Sequence, residues 1–384
     1  MSGPVDSMRG PKIPPGSHMD AQNPKTLLAN VRIFDGTQIS HPTFVVIDDD
    51  KIGTIPRGAR VIDCKGGILI PGLIDSHVHL HGKEDLEQLR QYGITTCLDM
   101  ECFPPELLHS LRDLPGLPDV FSAGFAAYYQ RPGQGWPPEG SVPDPEAAHL
   151  FVANRVAEGV DFIKMLADPS GPTTRGIDQP SMNMLVATAK QYNLLTIAHA
   201  MSPPGLKMAQ DAGIDVVTHA PLAPALDGGT AAMNAIARMV SDGRTCVPTL
   251  TMMEGIDKLQ TPGGAYEHTK AAVGAMHKLG VPILAGTDCN KAPGAPVSPV
   301  HGESLHHELE LLVDAGLTNL EALRAATVLP AKHFRIPDRG VIAPGMRADL
   351  VLLSADPLED IKNTRSIQKV WLAGQMFDPS AAAA

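Results

Sequence analysis

The sequence predicts an α/β protein: a (β/α)8 TIM-type barrel carrying a small β-sandwich domain built from both chain ends. Three observations predict it. Short alternating segments cluster near the two termini, strand-like and helix-like stretches alternate between them, and the strand-like runs end in polar residues able to do chemistry. Alternation of strand and helix favours a parallel sheet with helices outside, and eight strands close a barrel.

Several classes are excluded first. The chain has 384 residues and a formal charge of -11 with no cluster of Lys and Arg, so a nucleic-acid partner is not expected. No apolar run approaches the roughly 20 residues that cross a bilayer, so no membrane partner is expected either. Five cysteines (Cys64, Cys97, Cys102, Cys246, Cys289) are odd in number and form no close metal-type pair, which argues against a disulfide framework and for a reducing, cytoplasmic setting. Residues 1–20 lack the apolar core of a signal peptide. Gly16-Ser17-His18-Met19 has the form of a vector-derived junction, so these residues are set aside as tag or disordered segment.

In chain order, Thr26 to Phe34, Thr43 to Ile47, Lys51 to Ile55 and Arg60 to Cys64 read as small antiparallel strands separated by Asp-Gly, Asp-Asp and Arg-Gly turns. Gly340 to Leu353 and Ile367 to Leu372 repeat the style near the other end. Residues 24–68 and 341–378 are therefore expected to form one composite domain, with the barrel, 69–340, inserted between them. Barrel strands are expected at Gly72 to His77, Ile94 to Met100, Val120 to Gly124, Phe162 to Leu166, Leu195 to His199, Val216 to His219, Val247 to Thr251 and Ile283 to Asp288. Met182, Leu185, Val186 and Ala189 recur at helical spacing, and Thr318 with Glu321 makes a capping box ahead of Leu320, Leu323 and Ala326. Those stripes read as core.

The stretch that organises the rest is Gly66 to His81, an apolar run ending in alternating imidazoles. On a strand, residues i and i+2 share a face, so His77 and His79 can grip one ion. Downstream, Lys164 lies in the fourth expected strand, His199 ends the fifth, His219 ends the sixth and Asp288 ends the eighth. In a barrel, those carboxyl ends form one mouth, where active sites are built.

His77-x-His79, Lys164, His199, His219 and Gly286-Thr287-Asp288 stand in order between a Pro71-Gly72-Leu73-Ile74-Asp75 lead-in and a Pro344-Gly345-x-x-Ala348-Asp349-Leu350 tail. This set resembles the amidohydrolase superfamily, in particular the branch of imidazolonepropionase-like proteins, metal-dependent prolidases and ochratoxin amidases, from about Leu27 to Leu372. The resemblance implies that His77, His79 and Asp288 hold one divalent ion and His199 and His219 a second, with zinc the expected metal. It further implies that carbon dioxide carboxylates Lys164 to a bridging carbamate, for which an apolar strand interior favours the neutral amine. The implied activity is hydrolysis of an amide or peptide-like bond by a metal-bridging hydroxide, with Asp288 moving the proton. Lactone or ester hydrolysis at the same site, deamination at a single ion, and a non-catalytic scaffold remain alternatives.

Substrate contacts are open. Phe121, Phe125, Tyr128, Tyr129 and Trp136 crowd the region after the third strand, with Tyr128, Gln130 and Arg131 as polar handles. Relatives often carry a Gly-Gly-His segment in this loop, where this chain has Ala127-Tyr128-Tyr129-Gln130. Arg175, Lys291 or His301 could meet a substrate carboxylate, and His81 could line the pocket. A small-molecule substrate is the partner expected, and self-association is left open.

Overall fold

The computed structural model describes residues 25–130, 137–169, 175–220, 230–259, 264–292, 295 and 297–382. Strands in the first part are β1 (Thr26–Ile33), β2 (Thr43–Asp48), β3 (Lys51–Gly53), β4 (Arg60–Asp63) and β5 (Ile68–Pro71). Next come β6 (Leu73–Val78), β7 (Ile94–Asp99), β8 (Asp119–Ser122), β9 (Phe162–Leu166), β10 (Leu195–His199), β11 (Val216–Thr218) and β12 (Thr245–Val247). The chain ends with β13 (Leu350–Leu353), β14 (Ile367–Leu372) and β15 (Gln375–Phe377).

Strands from both ends share one mixed sheet in the order β15-β14-β13-β5-β1-β2-β3, with β4 also on β1. β13 lies antiparallel to β5, pairing Leu350 with Pro71 and Leu353 with Ile68. β1 breaks register between Ala29 and Val31, around Asn30 at φ 52°, a left-handed conformation that asparagine tolerates. Its first half therefore pairs with β4 and its second with β5. Leu28, Val31, Val45, Ile47, Leu69, Leu350 and Trp371 form the core of this part.

The apolar run at Gly66 to His81 makes two strands rather than one. Gly72 divides them: its N–H bonds the Asp349 carbonyl, and a Cβ there would lie 2.0 Å from Thr95 Oγ1. β6 thus leaves the mixed sheet and opens the parallel one.

β6, β7 and β8 form one parallel sheet, and β9, β10, β11 and β12 a second. Isolated parallel bridges join Ala127 to Met165, Cys246 to Ile283 and Val78 to Cys289. One apolar cluster gathers Ile74, Leu98, Phe162, Ile197, Val216, Val247 and Leu284. It draws on successive segments of this series and has Phe334 packed edge-on to Phe162 at 5.6 Å.

Two expected strands are corrected. The seventh lies at Thr245–Val247, not Val247 to Thr251, because Pro248 and Thr249 (φ 51°) end it and a helix occupies Leu250–Leu259. The eighth, Ile283 to Asp288, forms no named strand among the described residues. It runs alongside β6 through single bonds, Ser76 N–H to Ala285 O and Asp288 N–H to His77 O. A side chain at Gly286 would collide with Val247 at 2.5 Å, so only glycine lets this segment approach so closely.

Two helices carry the patterns read from the sequence. Met182, Leu185, Val186 and Ala189 are buried on Gln179–Gln191, and the Thr318–Glu321 capping box is present. Among the described residues, no helix is long and apolar enough to cross a membrane. All five cysteines are free and buried.

Candidate metal centre

His77 stands near the end of β6 and His79 just past it. The segment alongside is held by Asp288 N–H to the His77 carbonyl at 2.8 Å and His79 N–H to the Cys289 carbonyl at 2.9 Å. This brings Asp288 Oδ1 to 3.0 Å from His79 Nε2 and 3.3 Å from His77 Nε2. One ligand atom from each of the three lies within 4.8 Å of the others.

A second group faces it. His199 ends β10 and His219 follows β11, with His199 Nδ1 and His219 Nε2 only 2.9 Å apart. His219 Nδ1 lies 3.8 Å from Asp288 Oδ2, and its ring centroid is 5.0 Å from that of His77. Asp288 therefore reaches both halves. Lys164, on β9 and only 4% exposed, donates from Nζ to Thr218 Oγ1 at 2.9 Å.

Burial sets the charge states. It pushes His77 down to about 3, helped by the Lys164 charge, and His199 down to about 4. His219 falls well below the ordinary imidazole range for the same reason. Burial also lowers the Lys164 amine to about 8. Asp288 is the reverse case: burial alone would raise it, but His77 and His79 hold it well below the usual carboxylate range. For His79, burial is outweighed by the hydrogen bond and charge of Asp288, and its pKa rises.

These donors fit divalent cations. Neutral imidazoles offer lone pairs and Asp288 an anionic oxygen, the nitrogen and oxygen set that suits zinc-like ions. His219 Nδ1 is 2.5 Å from Thr249 Oγ1. When Nδ1 donates there, the Nε2 lone pair faces His199 Nδ1, and a cation relieves that opposition.

A profile described as the amidohydrolase family matches residues 68–377. The chain belongs to the amidohydrolase family. It is an enzyme acting on carbon–nitrogen bonds. The chain is 27% identical over 377 residues to the ochratoxinase of Aspergillus niger, covering 81% of this chain and 75% of that protein. With an adenine deaminase of Cereibacter sphaeroides it shares 26% over 348 residues, 86% of this chain and 55% of the deaminase. The crystal structure of an Xaa-Pro dipeptidase with bound methionine superposes with a TM-score of 0.78 at 24% identity, covering 92% of this chain and 100% of that one.

Around this amidohydrolase centre, the expected substrate contacts divide. Tyr128 is completely buried, donates its hydroxyl to the Pro137 carbonyl and packs on Phe125 with centroids 5.9 Å apart, so it packs the loop rather than serving as an open handle. Lys291 is exposed and held by Asp85 at 2.5 Å, whereas His301 is fully buried against the His79 carbonyl at 3.0 Å and so does not present itself to a substrate carboxylate. His81 is exposed, with its N–H on Asp85. Tyr129 is half-buried, its N–H on the Arg175 carbonyl. Arg175 lies within electrostatic reach of Tyr128 and Glu101. Arg131 and Trp136 lie outside the described residues.

Other side chains matter that the sequence reading passed over. Asp75 binds Thr287 Oγ1 at 2.8 Å and so ties the Asp288 segment to β6; burial raises it to about 7. Its i, i+2 spacing to His77 was a usable signal. Glu101, just past β7, adds negative charge beside His79, Lys164 and Arg175. Asp168 accepts from Met201 and Ser202 N–H at 2.8 and 2.9 Å and stands 3.5 Å from His199 Nε2. No spacing rule pointed to these two.

Proposed function

We propose that this amidohydrolase cleaves an amide or peptide-like C–N bond of a small, partly aromatic molecule at two divalent ions, best matched by zinc. His77, His79 and Asp288 would hold one ion, His199 and His219 the other, and Lys164 would join them as a carbamate. This reading includes closure of the two parallel sheets and the Ile283 to Asp288 segment into an eight-stranded barrel, with the chain ends as a separate small sandwich domain. The observation that carries it is the placement of Asp288 within 4 Å of imidazoles from both groups.

Ions bound there supply an acidified water, with a pKa near 7 rather than 15.7, and a Lewis acid for the substrate carbonyl. The protein does the rest. Asp288 Oδ2, turned toward His219, accepts a proton and returns it to the leaving nitrogen, a role worth about 10²–10⁴-fold. The lowered Lys164 amine is partly neutral near pH 8, the form that takes up carbon dioxide. Asp168 sits where it can orient His199, and Phe103, half-buried, and Phe125, buried, 4.8 Å apart, would back the rim that a substrate approaches. The names of the ochratoxinase and the dipeptidase support C–N hydrolysis. That of the adenine deaminase supports a second reading, deamination at one ion, in which Lys164 has no ligand duty. Five free buried cysteines suit a reducing compartment such as the cytoplasm, and a small molecule is the partner proposed.

A turnover screen tests this: zinc-loaded protein, with bicarbonate, against N-acyl amino acids, dipeptides, cyclic amides, lactones and adenine. Release of an amine from an amide supports the proposal. Activity confined to lactones or to adenine would overturn it.

A further inference from the structure

His301 is completely buried, yet it belongs to neither group of candidate ligands. Its Nε2 lies 3.0 Å from the main-chain oxygen of His79. A carbonyl only accepts, so this nitrogen carries the hydrogen and donates. The N–H of His79 is taken too, by the carbonyl of Cys289, the neighbour of Asp288, at 2.9 Å. His79 is thus gripped on both sides of its backbone.

Behind the His301 imidazole stands a carboxylate, near enough to act through its charge but not to hydrogen-bond its Nδ1. Asp85, 1% exposed in the first turn of the helix Lys83–Gln91, places Oδ1 3.8 Å from His301 Nδ1. The same carboxylate accepts from Lys291 Nζ at 2.5 Å and from His81 N–H at 2.7 Å. Gly302 permits the approach: at φ 84° it lies so close to that helix that a Cβ would sit 2.6 Å from Tyr92 and 2.9 Å from the Gln88 carbonyl. Residues on both sides of the first ligand group, His81 and Lys291, therefore meet at one buried carboxylate.

We propose that His301 is a positioning residue for the His77–His79–Asp288 ion: it fixes the His79 carbonyl and with it the aim of the His79 ring at Asp288. This inference rests on the metal reading above and adds which residue outside the ligand set governs it. Partners of this kind typically change metal affinity 10–100-fold when removed, whereas a residue that merely fills space changes stability.

Zinc affinity by chelator competition, zinc per chain and melting temperature are measured for the unmodified protein, His301→Phe and His301→Gln. Phenylalanine keeps a ring and loses the donor; glutamine returns a donor. The expected result is that His301→Phe keeps one ion, binds the other about 10–100-fold more weakly, and that His301→Gln recovers most of this. Unchanged zinc affinity in His301→Phe overturns the proposal. So does an equal loss in both variants with a matching fall in melting temperature, which marks a packing role. If the unmodified protein takes up no zinc, the metal reading itself fails and the clamp falls with it.

Discussion

Asp288 lies 3.0 Å from His79 and 3.8 Å from His219, so replacing it separates holding from turnover. Asp288→Asn keeps one oxygen donor and loses the proton acceptor. Its turnover is expected to fall about 10²–10⁴-fold while much of the zinc is retained; full activity would refute the role. His79 makes zinc uptake depend on pH. Its pKa is raised and the ligand form is neutral, so an ion must displace a proton. Affinity should be full above that raised pKa and weaken as pH falls through it, sooner than for an ordinary imidazole. Chelator competition across about pH 5–9 checks this. The six candidate ligands were legible because each interrupts or ends an apolar run. Glu101 and Asp168 were not, since loop carboxylates are common and only the fold brings these two beside the imidazoles.

Among the elements, the helix Leu250–Leu259 depends on a side chain from another helix. Glu308, fully buried on Glu303–Asp314, accepts from Leu250 N–H at 3.0 Å, Thr251 N–H at 2.7 Å and Thr251 Oγ1 at 2.9 Å. Glu308→Ala strands those donors and is expected to cost about 2–3 kcal/mol in denaturant unfolding. Burial raises the Glu308 pKa from 4.5 to about 7. The folded value lies above the unfolded one, so its contribution is full below about 4.5 and is lost as pH rises through about 7. Glu308→Gln should flatten that part of the stability profile; an unchanged slope would contradict the assignment. Strand positions were mostly readable from apolar runs and turns. The seventh slipped because Leu250 and the β-branched Thr251 keep a strand-like composition past Pro248, and periodicity alone does not show where a helix takes over. The eighth makes no regular ladder: its Ala285 N–H is taken by the Ala325 carbonyl, outside the strands, a partner that no local pattern announces.

At the scale of the whole molecule, the two chain ends depend on one another. β13 fills the place between β5 and β14 and pairs with Ile68 and Ile70, which are completely buried in the intact chain. A chain cut after residue 340 is expected to bind an apolar dye and aggregate, whereas a monodisperse, cooperatively melting product would contradict this dependence. Asp119 at the start of β8 pairs with Arg339 at 3.0 Å and Arg347 at 2.7 Å, just ahead of β13. Asp119→Ala leaves two guanidinium groups short of a partner and should cost about 2 kcal/mol, less than a fully buried pair because Arg347 is partly exposed. The shared sheet was legible from the similar style of both ends; this charged contact was not, since its partners lie more than two hundred residues apart.

The central claim is that His77, His79, Lys164, His199, His219 and Asp288 together hold two ions. Anomalous diffraction from crystals grown with zinc and bicarbonate tests it most directly. Two strong peaks are expected, one against His77, His79 and Asp288 and one against His199 and His219, joined by density extending from Lys164 Nζ. A single peak with an unmodified Lys164 still on Thr218, or zinc bound elsewhere, would contradict it.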